Sequence, residues 1–257
     1  MEQIPFLGVR FDPYSMSEVL DWVETAAQSD RFHYVVTPNT DHIVMLADSS
    51  DEEWLQSYRA AVEESDLRLN DSRVLQRLAR YSNLSIPVTP GSDIVRLLIQ
   101  QRRQTDGRLM LVGGTVREAE WLEETLPDHE VIHEQPPMGI RDDVDLQKLI
   151  AQNVEDAEAD IVLFAVGAPQ SENVCRLIAR RRQARGVALC IGASVEFLSG
   201  AKRRAPLWMQ EAGLEWLFRL TSEPRRLGKR YLVRGPRIVS LWLAEERVRR
   251  DERNRSN

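Results

Sequence analysis

Six short apolar runs punctuate the chain: HYVVTPN, LRLN, RLMLVGG, HEVIHE, DIVLFAVG and ALCIGA. Each is aliphatic or β-branched, and each is followed by turn residues or a polar segment. Between them, apolar residues recur at helical spacing over longer stretches, among them Asp51–Glu63, Val116–Leu126 and Val144–Asn153. Compact runs predict strands and spaced stretches predict helices. Their alternation predicts a mainly parallel, doubly wound sheet, an α/β fold of Rossmann-like type. Ser15 with Glu18 reads as a capping box ahead of a helix carrying Val19, Leu20, Trp22 and Val23.

Three strand-to-helix junctions carry glycine: LMLVGGTVREAE, VLFAVGAPQSENVCRLIA and LCIGASVEFL. In a parallel sheet such turns fall at the carboxyl ends of strands, where ligands bind. Glycine lets backbone approach a phosphate, and the next helix offers free N–H groups and a positive dipole end. Gly113 and Gly114, the Gly167-Ala168-Pro169-Gln170 loop, and Gly192-Ala193-Ser194 are therefore candidate contacts for a nucleotide or sugar nucleotide. Tight turns alone are the alternative, since no junction is a GxGxxG or Walker A loop.

Charge changes the picture in one respect. The net charge is −6, but residues 201–257 carry 15 Lys/Arg against 7 Asp/Glu, a balance of +8, leaving −14 on the first 200. An acidic body with a basic C-terminal region aimed at anions is the expectation, with a solvated helical tail as the bland alternative. The expected organisation is a body over 1–200, a basic and aromatic helical appendage over 201–245, and a fraying tail over 246–257. Cys175 and Cys190 lie in apolar patterns outside any CxxC or Cys/His cluster and read as core thiols. The start MEQIPFLGVRFDPYS is not a signal peptide, and no apolar run approaches the roughly 20 residues that span a bilayer. A cytoplasmic protein is expected.

The stretches TPNTDHIVMLA, AVGAPQSE, IGASVEFLSGAKRRAPLWMQEAGLEWLFRL and EPRRLGKRYL occur in that order. Together they resemble the WecG/TagA/CpsF glycosyltransferases (glycosyltransferase family 26), from about Pro5 to Pro236, and PPMGI followed by GAPQSE suggests a subgroup. The resemblance implies a Rossmann-like fold with a C-terminal appendage and an inverting, metal-independent enzyme without cofactor. Its partners would be a UDP-sugar, a polyprenyl-diphosphate-linked sugar acceptor and the anionic inner face of the cytoplasmic membrane. Nucleic acid is not expected, because the body is acidic and no basic sheet interleaved with aromatics is visible. The oligomeric state stays open, a homo-oligomer included.

The resemblance also assigns residues. An inverting transfer needs a base at the acceptor hydroxyl, and SDLRLNDSRVLQ aligns Asp71 with the aspartate of the family's DGxGVV motif. Both motif glycines are missing, and Asp71 would serve equally as a helix N-cap. Thr37 and Asn39 match the family's T-x-N, with an Asx/ST turn as the alternative. Gln170 and Ser171 stand where most relatives have Lys-Gln; Gln170 and Glu172 remain candidate ligand contacts. Glu196 replaces an aspartate close to the uracil, or simply favours a helix dipole. Without a metal, guanidinium groups must meet the charge that develops on the leaving diphosphate. Arg219, Arg225, Arg226 and Arg230 are the candidates, with Arg203 and Arg204 beside them. Asp143-Val144-Asp145 mimics a metal-binding DxD but precedes a helical pattern, where acidic residues are common. His129 and His133 lie in an expected strand and do not converge on a metal. The rival reading is a nucleotide-sugar-binding or scaffold protein whose catalysis was lost through the altered DSRVL loop.

Overall fold

The computed structural model describes residues 2–101 and 107–256, apart from the side chains of Leu207, Arg226, Lys229, Arg230, Arg253, Arg255 and Ser256. The six expected runs all form strands: β3 (His33–Val36), β4 (Leu67–Arg68), β5 (Gly107–Val112), β6 (His129–Glu134), β7 (Ile161–Phe164) and β8 (Val187–Cys190). They make one sheet in the order β4-β3-β8-β7-β5-β6, and every pairing is parallel. β7 and β8 are buried along their whole length, as strands covered on both faces must be.

Successive side chains leave a strand on opposite faces, so the sheet has two cores. Tyr34, Val36, Met110, Val112, Val162, Phe164 and Cys190 pack with helices α2 (Thr40–Leu46), α3 (Glu53–Glu63), α4 (Arg73–Tyr81), α7 (Val144–Ala157) and α8 (Gln170–Arg181). Val35, Leu109, Leu111, Ile161, Leu163, Val187 and Leu189 pack with α1 (Met16–Ala27), α5 (Gly91–Gln101), α6 (Val116–Thr125) and α9 (Ser194–Leu198). The α1 capping box forms as read, Ser15 and Glu18 each closing on the other's backbone N–H.

A hairpin absent from the expected strands precedes α1: β1 (Ile4–Phe6) pairs antiparallel with β2 (Val9–Phe11). It is held at the β4 edge, where Asp12 Oδ2 accepts the Arg68 N–H at 2.8 Å.

After α9 the chain forms α10 (Leu207–Glu211), α11 (Glu215–Ser222), α12 (Pro224–Gly228), a π-helical turn (Lys229–Arg234) and α13 (Arg237–Ser256). α13 runs on through the segment from 246. The helix is tied to the body: Ile238 is buried, the Trp242 indole N–H donates to Ser82 Oγ at 2.9 Å, and Glu245 accepts the Leu7 N–H. Arg249 bridges Glu245 and the Pro5 carbonyl, so contacts with the hairpin carry helical order past the expected boundary. No helix among the described residues is long and apolar enough to cross a membrane.

Candidate functional site

A cavity of about 980 Å³ opens over the carboxyl ends of four adjacent strands, β4, β3, β8 and β7, and is closed by residues from α10 to the start of α13. Position and volume both suit a ligand the size of a nucleotide sugar.

Two of the three glycine loops line it. Gly167 (φ +79°) and Gly192 (φ +52°) leave open space where a side chain would stand, so backbone is approachable there. Ala168, Pro169, Ala193 and Ser194 line it with them. The Gln170 amide, with nitrogen toward the loop, lies 3.0 Å from the Ala168 carbonyl, and Ser171 Oγ donates to the Gly167 carbonyl at 3.2 Å. The first loop does not reach the cavity. A Cβ on Gly113 would sit 2.6 Å from Val166 Cγ1, and its carbonyl meets His133 Nε2 at 3.0 Å. The Glu118 carboxylate caps the Thr115 N–H beside Gly114. Gly113 and Gly114 therefore serve the β5 turn and its packing.

Thr37 and Asn39 follow β3 into the cavity, and both carry structural bonds. Thr37 Oγ1 donates to the Cys190 carbonyl at 3.0 Å, and Asn39 Oδ1 caps α2 by accepting the Asp41 and His42 N–H groups. Cys190 and Cys175 are buried free thiols, their sulfurs 3.7 Å apart.

Asp71 follows β4 and also lines the cavity. It does not cap α4. That role belongs to Ser72, whose hydroxyl accepts the Leu75 N–H at 3.3 Å. Ser72 lies in extended backbone (φ −131°) and Arg73 begins the helix, so the missing motif glycines are not needed for this turn. The carboxyl of Asp71 is pushed up to about 7, first by burial and then by Glu215, while Arg219, Arg204 and the Gly91 N–H oppose the rise.

The C-terminal elements bring cations. Arg204 pairs with Asp93 at 2.9 Å, Arg219 lies 5.4 Å over the Phe197 ring, and Arg234 stands 3.5 Å from Asp41. Arg237 and Arg73 line the same space. Arg77, on α4, donates to the Glu211 and Ala212 carbonyls at 3.0 and 2.7 Å and so clamps the end of α10 beside the Asp71 loop.

Several sequence candidates lie elsewhere. Glu196 points at Lys202 (2.6 Å) rather than into the cavity, and Arg203 and Arg225 are exposed outside it. The side chains of Arg226 and Arg230 lie outside the described residues. Asp143 caps α7 by accepting the Leu146 N–H at 2.9 Å, and Asp145 pairs with Lys148, which accounts for the DxD pattern. Sequence reasoning missed Arg234, Arg237 and Glu215. Glu215 falls within the stretch IGASVEFLSGAKRRAPLWMQEAGLEWLFRL, whereas nothing in the local pattern marks the two arginines; the fold brings them over α2.

Comparison with known proteins joins these observations. A family model described as "Glycosyl transferase WecG/TagA/CpsF family" matches residues 4–253. The chain is 23% identical over 234 residues to an N-acetylglucosaminyldiphosphoundecaprenol N-acetyl-beta-D-mannosaminyltransferase of Staphylococcus aureus strain MRSA252, covering 88% of this chain and 87% of that protein. The protein of the same description in strain MW2 is 22% identical over the same shares.

Proposed function

The chain belongs to the WecG/TagA/CpsF glycosyltransferase family, and from that premise we propose that it moves a sugar from a UDP-sugar to a polyprenyl-diphosphate-linked sugar with inversion at the anomeric carbon. The observation that carries this reading is Asp71: a carboxyl relieved of any capping role, in the cavity, with its proton affinity raised close to neutral. A base titrating near the working pH is suited to general base catalysis. Asp71 takes the proton of the acceptor hydroxyl as that oxygen attacks the anomeric carbon. The bond to UDP breaks on the opposite face, and the leaving diphosphate carries the negative charge away.

Arg204, Arg219, Arg234 and Arg237, which line the cavity, would meet that charge, and guanidinium suits phosphate oxygens through paired donors. No metal enters the proposed step. Gly167 and Gly192 give backbone access, and Asn39 keeps its amide N–H groups for a ligand while its oxygen caps α2. We place the enzyme at an anionic membrane surface. Its basic C-terminal region exposes Trp208, Leu232 and Val233, and its acceptor is lipid-linked.

The test is UDP release. The staphylococcal relatives are described as N-acetylmannosaminyltransferases acting on N-acetylglucosaminyldiphosphoundecaprenol, so that donor and acceptor pair comes first, followed by other UDP-hexoses. UDP should appear only when both substrates are present. A protein that binds UDP-sugars yet releases no UDP with any lipid-diphosphate acceptor would be a binding protein, and the catalytic reading would fall.

A further inference from the structure

Glu172 stands in the first turn of α8, lines the cavity and is 3% exposed. Among the described residues one carboxyl oxygen, Oε2, has no hydrogen-bond partner, and the carboxyl accepts a hydrogen bond from its own backbone N–H. Among the described residues no Lys or Arg forms an ion pair with it, unlike Asp93 with Arg204 or Asp41 with Arg234. A buried acceptor left unmatched costs stability and calls for a donor. That donor cannot be a phosphate, which would add a like charge at the same place. A neutral O–H group suits it. The cavity therefore divides by chemistry: the guanidinium groups of the C-terminal elements suit the diphosphate, and this carboxyl on the α8 side suits something uncharged and rich in hydroxyls.

We propose that Glu172 is a specificity-determining residue that accepts a hydrogen bond from a ring hydroxyl of a substrate sugar. The inference rests on the glycosyltransferase reading and names what fills this part of its site. Both substrates bring hydroxyls, so the experiment separates donor from acceptor.

Burial pushes the Glu172 carboxyl up to about 7. A hydroxyl donating to it favours the carboxylate, so sugar binding near pH 7 should expel part of a proton to the buffer. The titratable groups facing Glu172 are the Cys175 thiol on its own helix and the Cys190 thiol on β8, both raised by burial and neutral at that pH. Asp41 and His42 of α2 line the same cavity and are common to the two proteins compared below, and Asp71, which also lines it, is replaced in both.

The experiment is calorimetry on full-length Asp71→Asn protein at pH 7, in two buffers of different ionisation enthalpy. The ligands are UDP, a panel of UDP-hexoses and a soluble short-chain prenyl-diphosphate-linked sugar. Glu172→Gln in the same background is compared throughout. The expected result is that one sugar-bearing ligand, and not UDP, releases on the order of half a proton, as a group near its midpoint does. Glu172→Gln should abolish that release and weaken that ligand about tenfold, the scale of a hydrogen bond to a charged group, while leaving UDP affinity unchanged. Whether the UDP-hexose or the lipid-linked sugar shows the effect says which substrate the carboxyl reads. Equal release in both proteins, or equal weakening of UDP itself, overturns the proposal. UDP failing to bind at all would overturn the functional reading beneath it. Gln is isosteric and removes a buried charge, so the variant should melt no lower than its parent; Glu172→Asp, too short to reach, should mimic it in affinity.

Discussion

The chemistry proposed here depends on one side chain whose local environment opposes its charged form. Asp71→Asn keeps the shape of the site but removes the proton acceptor, and turnover should fall by roughly 10²–10⁴-fold, the usual span for general base catalysis. UDP affinity should hold, because the guanidinium groups are untouched. In the wild type, kcat/KM should rise with pH through about 7 as the carboxyl loses its proton. Stability should run the other way. The folded carboxyl titrates near 7 against an ordinary 3.8, so its stabilising contribution is complete below about 4 and is lost as pH rises through 7. Asp71→Asn should therefore melt higher than wild type at pH 8, with the gap closing by pH 4. A variant melting lower at pH 8 would place Asp71 in a structural role. The motif marked Asp71 as a candidate, and the structure puts it in the cavity, but its freedom from capping was not legible. That depends on Ser72, one residue on, and either residue type caps helices well.

At the scale of elements, β7 and β8 were legible because strands covered on both faces read as unbroken apolar runs. The β1–β2 hairpin was not, since its strands have only three residues each and its turn is a single Leu-Gly pair. Both turn residues take positive φ, as a two-residue hairpin loop requires, but Leu7 is not one of the residue types that favour that conformation, so the pair carries little sequence signal. The glycine loops show the opposite failure. Gly113-Gly114 and Gly167 read alike in sequence, and only the third dimension puts Val166 against one and the open cavity against the other. Capping gives a prediction at this scale. Asp143→Ala should cost about 1 kcal/mol by loss of the α7 N-cap, and Asp145→Ala, which breaks only an exposed pair, much less. Neither should change turnover, and turnover should survive EDTA. A requirement for Mn²⁺ or Mg²⁺ that vanished with these two substitutions would move catalysis to a metal-assisted class.

For the molecule as a whole, the basic C-terminal region has two faces, and the fold decides how each can be tested. A truncation before Arg225 would take away Leu227, Ile238 and Trp242, which the body buries or half-buries, along with the contacts of Glu245 and Arg249 to the hairpin. Such a protein should lose stability whatever its affinity for membranes, so truncation cannot isolate the anchor. The outward face can be changed instead. Leu232 and Val233 are 62% and 63% exposed, do not line the cavity, and lie in a region of charge +8 on a body of −14. Near an anionic surface each basic residue contributes roughly 1 kcal/mol, an attraction that salt screens beyond about 8 Å at physiological strength. The acidic body should oppose approach from other directions, so at such a surface attraction and repulsion together would orient the protein. Full-length enzyme should co-sediment with phosphatidylglycerol-containing vesicles, leave them as salt rises, and ignore neutral vesicles. Leu232→Asp with Val233→Asp should cut vesicle binding several-fold, since it removes apolar contact and adds two repelling charges. Turnover of a soluble short-chain acceptor should stay the same in that variant, whereas turnover of a vesicle-embedded acceptor should fall with binding. If the double variant bound anionic vesicles as well as wild type, the lipid-facing surface would have to lie elsewhere; if soluble turnover fell equally, this turn would belong to the cavity lid rather than the anchor.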